Sequence, residues 1–200
     1  MSGLREKQKE QRKEAILVAA MSLFGSHGYT VTTVEQIAAA AGVSPPTVFN
    51  YFGSKQEILF ALVDRADRSA INDVRAEMET FDNAIDALCN IQAAIMKHEL
   101  EALPIAIWRE LMSLSFNSSI SPGMLAINKR LVTEIANLLR ELQGRGMLNV
   151  DFDPEAVAEL INDYCTLLFA RFVHQDKPDQ AAHTMQIHRV AELVFTGLRP

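Results

Sequence analysis

The chain has 200 residues and is 48% hydrophobic, enough apolar material for one or two modest cores. Its 9 glycines and 7 prolines are scattered, with no repeat and no Pro/Gly/Ser tract, which speaks against a disordered, collagenous or repeat protein. The net charge of −6 is uneven: residues 1–65 hold seven Lys/Arg against six Asp/Glu, residues 66–200 twelve against nineteen, so blanket nucleic-acid binding is excluded and binding at one end is not.

Residues 1–14 are polar and lack the apolar stretch of a signal peptide, and no run approaches the ~18 apolar residues of a membrane span. The expectation is a cytoplasmic protein without membrane partners. Arg5, Lys7, Lys9, Arg12 and Lys13 stand against Glu6 and Glu10 in a basic arm, which suits either phosphate contact or a solvated tail. Ile16, Ala19, Ala20, Leu23 and Phe24 follow the spacing of one buried helix face, and Gly28 fits a left-handed C-terminal cap. A second helix opens at Thr33, with Gln36 three residues on as in a capping box, and buries Val34, Ile37, Ala38 and Ala41. Gly42-Val43-Ser44 is a turn, with Ser44 as the next cap. Pro45 and Pro46 lie in the first turn of a short third helix ending near Phe52. Ser54 and Glu57 begin a fourth, reaching about Met78.

Further helices are expected from about Asn83 to Glu101, from Pro104 to about Phe116, and from Met124 to about Arg145, with a loop over 117–123. Asp153-Pro154-Glu155 starts another, running to about His174. After Lys177-Pro178 a last helix covers about Asp179 to Leu198. Strand signals are scarce, so the fold class is all-α with about nine helices. An N-terminal three-helix domain (1–53) precedes a helical domain for effector binding and dimerisation (54–200).

Helix, three-residue turn and short helix together make a helix-turn-helix, whose second helix enters the DNA major groove by its N-terminal side. Val48 and Phe52, four apart, face inward, so Pro46, Thr47, Asn50 and Tyr51 project outward. Asn50 suits a bidentate pair with adenine, and Thr47 a thymine methyl or a phosphate. Tyr51, Thr33 and Lys55 suit phosphate contacts that fix register.

Phe24-Gly25-Ser26-His27-Gly28-Tyr29, Thr32 to Ala38, Ala41 to Ser44, Thr47 to Phe52 and Ser54-Lys55 resemble, in order and spacing, the signature of the TetR family of repressors. The resemblance covers about residues 10–60. It implies a homodimeric regulator that grips palindromic operator DNA and answers to a small molecule bound in the second domain. It implies DNA contact by Thr33, Pro46, Thr47, Phe49, Asn50, Tyr51 and Lys55. Two positions depart from the family pattern. Phe49 stands where a tyrosine is usual, and Pro45 where a polar side chain often reads a base. Specificity then leans on Asn50, the basic arm or DNA shape. Repression is favoured over activation by the resemblance alone.

Effector candidates are the large or adaptable groups Met96, Trp108, Met112, Phe116, Tyr164 and Phe169, with Asn128 as a polar member; ordinary core packing is the more common role for most of them. An unknown lipophilic or aromatic effector is expected, and no cofactor. Leu160, Leu167, Leu168, Ile187, Val190 and Val194 exceed what one narrow stripe needs and are expected at a two-fold four-helix seam, the alternative being intramolecular core. Cys89 and Cys165 read as reduced, buried thiols. No metal or catalytic site is expected: His183 and His188 are five apart and off one face, and no phosphate loop or nucleophile elbow is present. A helical protein-binding adaptor is the remaining rival.

Overall fold

A computed structural model describes residues 2–117, 122–149 and 151–197, all helices and connections with no strand among them. The helices are α1 (Ser2–His27), α2 (Val34–Ala40), α3 (Pro45–Phe52), α4 (Lys55–Glu77), α5 (Ala84–Ala102), α6 (Ile105–Asn117), α7 (Pro122–Gly144), α8 (Pro154–Val173) and α9 (Gln180–Gly197), with a 3-10 turn at Met78–Thr80.

The caps form where side-chain chemistry places them. Thr33 and Gln36 exchange both capping-box hydrogen bonds, Ser54 Oγ accepts from the Glu57 amide, Asn83 caps α5 through the Asp86 amide, and Asp153 caps α8 with Pro154 behind it. Gly28 takes φ +88, beyond the end of α1. Ser44 differs. It holds the N-cap backbone but makes no side-chain cap bond; the Thr47 amide donates to its backbone carbonyl at 2.9 Å, and its hydroxyl pairs with Thr47 Oγ1 at 2.8 Å instead. α1 is longer than its apolar stripe requires, so the basic arm is helical from its second residue. Helical periodicity then puts Arg5, Lys9 and Arg12 on the same side of α1 as Ile16. Of the loop expected over 117–123, residues 118–121 lie outside the described residues, while Asn117 closes α6 and Pro122 opens α7.

Two apolar clusters fill the interior. The first joins Ile16, Phe24, Ile37, Val48 and Phe52 of the three-helix head to Leu59 and Leu62 of α4, Trp108 and Met112 of α6, and Phe169 and Phe172 of α8. The second lies at the far end, among the distal half of α4, α5, α7, the first half of α8, and α9. Each large side chain buried in them contributes about 1.5–3 kcal/mol. α4 belongs to both clusters, so head and body share a helix and a core. Polar contacts reinforce that junction. Thr30 donates to Glu110 at 3.0 Å, and Arg65 pairs with Glu14 at 2.6 Å.

Candidate DNA-reading face and buried cavity

The turn between α2 and α3 is set by Gly42 at φ +67, a left-handed conformation that glycine adopts without strain. The Val43 amide closes the turn by donating to the Ala38 carbonyl at 2.9 Å. Val48 and Phe52 are buried against α1 and α4, which turns Pro46, Phe49 and Asn50 to the outside. Thr33 is exposed at the start of α2, its hydroxyl oxygen accepting from the Gln36 amide. Thr47 and Tyr51 are half-buried, and Tyr51 borders a groove with Lys13, Phe60 and Ile127. The outward face thus offers one amide, one hydroxyl at each helix start, and an aromatic ring 47% exposed at Phe49.

Lys55 makes its contacts within the chain. The sequence suggests a phosphate contact, but its Nζ donates to the carbonyls of Tyr29 (2.7 Å), Thr30 (3.2 Å) and Thr32 (2.8 Å) and sits 4.3 Å from the centre of the Tyr29 ring. An ammonium has three donors, and all three end on the α1–α2 connection, whose carbonyls have no helical partners there. Lys55 therefore ties the entrance of α2 to the start of α4. Lys55→Met leaves three carbonyls to find water; it is expected to lower stability by about 2 kcal/mol and to weaken operator binding without changing its salt slope. A flatter slope in a salt titration would return Lys55 to the phosphates.

A cavity of about 60 Å³ lies in the body. Gln92, Ile95, Met96 and Glu99 of α5 face Met112 of α6, Leu131 of α7, Asn162, Cys165, Thr166 and Phe169 of α8, and His183 of α9. Of the expected effector residues, Met96, Met112 and Phe169 line it. Trp108 does not: it is 1% exposed behind Phe169, ring edge to face at 5.2 Å, and its Nε1 donates to the Glu99 carbonyl at 2.9 Å. Asn128 stands one layer back, accepting from Asn162 Nδ2 at 2.7 Å. Tyr164 is 40% exposed on the outer side of α8, five residues and more than a third of a turn from Phe169. The Phe116 side chain lies outside the described residues. Gln92, Glu99, Asn162 and His183 are missing from the sequence-based set. Gln92 and Glu99 are seven apart on one otherwise apolar face, and that spacing was the available signal.

Burial governs the charges here. It holds the Glu99 carboxyl well above its ordinary range, and neighbouring Asp67 pushes it further. Asp67, buried on α4, is raised to about 7 by burial and by Asp64, against a lowering by Arg130, and its Oδ1 has no hydrogen-bond partner. Burial lowers the His183 imidazole, which keeps it neutral, and raises the Cys165 thiol to about 12. Among the described residues no group of three His, Cys, Asp or Glu is placed to hold a metal ion, and no helix is long and apolar enough to cross a membrane.

The outer faces of α8 and α9 expose Leu160 (60%), Tyr164, Met185 and Leu193 (76%). Leu167, Val190 and Val194 are half-buried beside them. Leu168 and Ile187, expected at a dimer seam, are instead buried inside this chain's own second cluster: Ile187 lies across α9 from the exposed row, and Leu168, one turn past Tyr164, is at the edge of α8's buried side.

Comparison with known proteins meets this geometry from outside. A family model described as bacterial regulatory proteins, tetR family, matches residues 16–62, the span from the first buried residue of α1 into α4. The chain is 31% identical to the HTH-type transcriptional regulator TcmR of Streptomyces glaucescens over 76% of its own length and 67% of that protein. It is 30% identical to the HTH-type transcriptional regulator BetI of Rhizobium meliloti over 74% of this chain and 71% of that one. In fold it resembles Thermus thermophilus FadR, a repressor solved with lauroyl-CoA, at TM-score 0.72 and 23% identity over 90% of this chain and 92% of the other. With the helix-turn-helix, the shared core and these likenesses together, the chain belongs to the tetR family of bacterial regulatory proteins, the DNA-binding transcriptional regulators.

Proposed function

We propose that the chain is a homodimeric, cytoplasmic repressor that occupies a palindromic operator and is released when a small effector enters the cavity of its body. Residues 1–53 act as the DNA-binding head and 54–200 as the effector and dimerisation body. One observation carries the reading: Met96, Met112 and Phe169, which line the cavity, belong to the same apolar cluster as Ile16, Phe24 and Val48 of the head. Close-packed side chains do not deform independently, so filling the cavity shifts the support on which α1 and α3 rest. Two heads held across a two-fold axis then lose the spacing that fits two half-sites.

At the DNA, Pro46, Phe49 and Asn50 meet the major groove, Thr33, Thr47 and Tyr51 fix register, and Arg5, Lys9 and Arg12 follow the backbone from one side of α1. The exposed apolar row of α8 and α9 supplies the seam between protomers. Thermus thermophilus FadR was solved with lauroyl-CoA. The cavity of this chain, about 60 Å³ as it stands, would have to open to admit a twelve-carbon tail, which supports a smaller effector.

Asn50→Ala tests the assignment of α3. Loss of the amide should cost about 1–3 kcal/mol at the cognate operator and relax preference at one base pair, read by anisotropy on a set of single-position variants. Unchanged affinity and unchanged base preference would remove α3 from the major groove.

A further inference from the structure

We infer that the groove between α4 and α7 is a second ligand site, outside the buried cavity, that takes a small phosphate monoester on Arg68, Arg75 and Arg130. The groove is about 320 Å³, a size ordinary for small-molecule sites, against about 60 Å³ for the cavity. It is lined by Arg68, Ile71, Asn72 and Arg75 of α4 and by Arg130 and Glu134 of α7. The four α4 residues fall at i, i+3, i+4 and i+7, one face of that helix. Three cations thus face one acid, although acids outnumber Lys/Arg nineteen to twelve over residues 66–200. Neither helix belongs to the exposed apolar row of α8 and α9.

Two of the guanidiniums are held from behind. The Asp64 side chain is only 20% exposed; its Oδ2 accepts from Arg68 Nε at 2.9 Å and its Oδ1 from Arg130 Nη1. One carboxylate therefore fixes two guanidiniums beside each other and offsets the charge of one. Arg75 Nη2 donates to Glu134 Oε2 at 2.6 Å, in a part-exposed pair. Among the described residues each arginine spends one nitrogen in this way and keeps most of its five N–H donors. Asn72, exposed between Arg68 and Arg75, adds an amide, and buried Ile71 gives the groove an apolar floor for an organic group. So many donors suit a ligand head that only accepts. Part-exposed ion pairs contribute little, so an entering anion displaces Glu134 from Arg75 at small cost. Three cations against Asp64 then leave two positive charges, which a phosphate dianion balances, and guanidinium forks match its oxygens. The acidic body around the groove disfavours a flat anionic surface, so the occupant is a soluble phosphate.

Calorimetry on the full chain at about pH 8, in dilute chloride buffer, compares phenyl phosphate, phenyl sulfate and phenol, which carry two charges, one and none on a common ring. Phenyl phosphate is expected to bind at least about tenfold tighter than phenyl sulfate, and phenol to show no saturable binding up to about 10 mM. Arg68→Gln and Arg75→Gln should each weaken phenyl phosphate by about tenfold or more. Glu134→Gln should act in the opposite direction and tighten it by about threefold or more, because the resident competitor is gone. All three side chains are part exposed, so each variant should melt within about 2 °C of the parent. Arg140→Gln, farther along α7 and outside the groove, should bind as the parent does. Phenyl sulfate matching phenyl phosphate, parent affinity in both groove-arginine variants, or weaker binding in Glu134→Gln would each overturn the site. So would a loss in Arg140→Gln equal to that in Arg68→Gln, or no binding of phenyl phosphate at about 10 mM.

Discussion

Leu160→Glu with Leu193→Glu is expected to turn a species of about 44 kDa, twice the 22.2 kDa chain, into one of about 22 kDa, and to cut operator affinity by about 10²–10⁴-fold. Both side chains are largely exposed on the outer faces of α8 and α9, so charging them leaves each protomer's core intact. Buried as a pair across a two-fold axis, the same glutamates are desolvated and face like charges. The DNA effect follows from linkage. Two heads on one body bind the second half-site at high effective concentration, and a monomer forfeits that gain without losing a single contact to its own half-site. Sedimentation and anisotropy read the two consequences, and an unchanged melting temperature shows that the fold survives. Leu168→Glu is the useful contrast: that side chain is 2% exposed within the chain, so the fold itself should fail. If the double variant still sediments as a dimer and binds as before, the seam lies elsewhere.

Asp67→Asn is expected to stabilise the protein by a few kcal/mol above neutral pH. The carboxyl titrates at about 7 in the folded chain, against an ordinary value of 3.8. Raised in the fold, the group favours the native state below the ordinary value, and that advantage is lost as pH climbs from there through about 7. Above that range the chain must hold a buried carboxylate whose Oδ1 has no donor. The neighbouring groups all enter this balance: Asp64 on the same helix, Glu99 from α5, and Arg130 from α7. An amide removes the charge and keeps the shape. Melting temperatures of parent and variant should therefore converge in acid and separate between about pH 4 and 7, with a steady difference above. A constant difference across that range would mean that Asp67 does not titrate there.

Local chemistry was readable from the residues alone. Thr33 with Gln36, Ser54 with Glu57, and Asp153 with Pro154 each mark a helix start through groups within three residues, so no distant partner was needed. Val48 and Phe52 declared the inward side of α3 by their spacing. What stayed hidden depends on partners far along the chain. Lys55 looks free in sequence, and the carbonyls that claim it sit 23 to 26 residues earlier. α8 is apolar on more than one side, so periodicity could not tell Phe169, which lines the cavity, from Tyr164, which faces out, or Leu168 from Leu160. The mutual influence of Asp67 on α4 and Glu99 on α5 spans two helices, and no local pattern announces it.

The most direct measurement titrates the full chain against a fluorescent duplex taken from upstream of its own coding sequence, at increasing KCl, beside a scrambled duplex of equal length. The expected result is one dimer per palindromic site, affinity that falls steeply as salt rises, and a preference of about 10³-fold or more over the scrambled duplex. Equal affinity for both duplexes, or no binding to either at micromolar protein, would contradict the assignment of this chain as an operator-reading regulator.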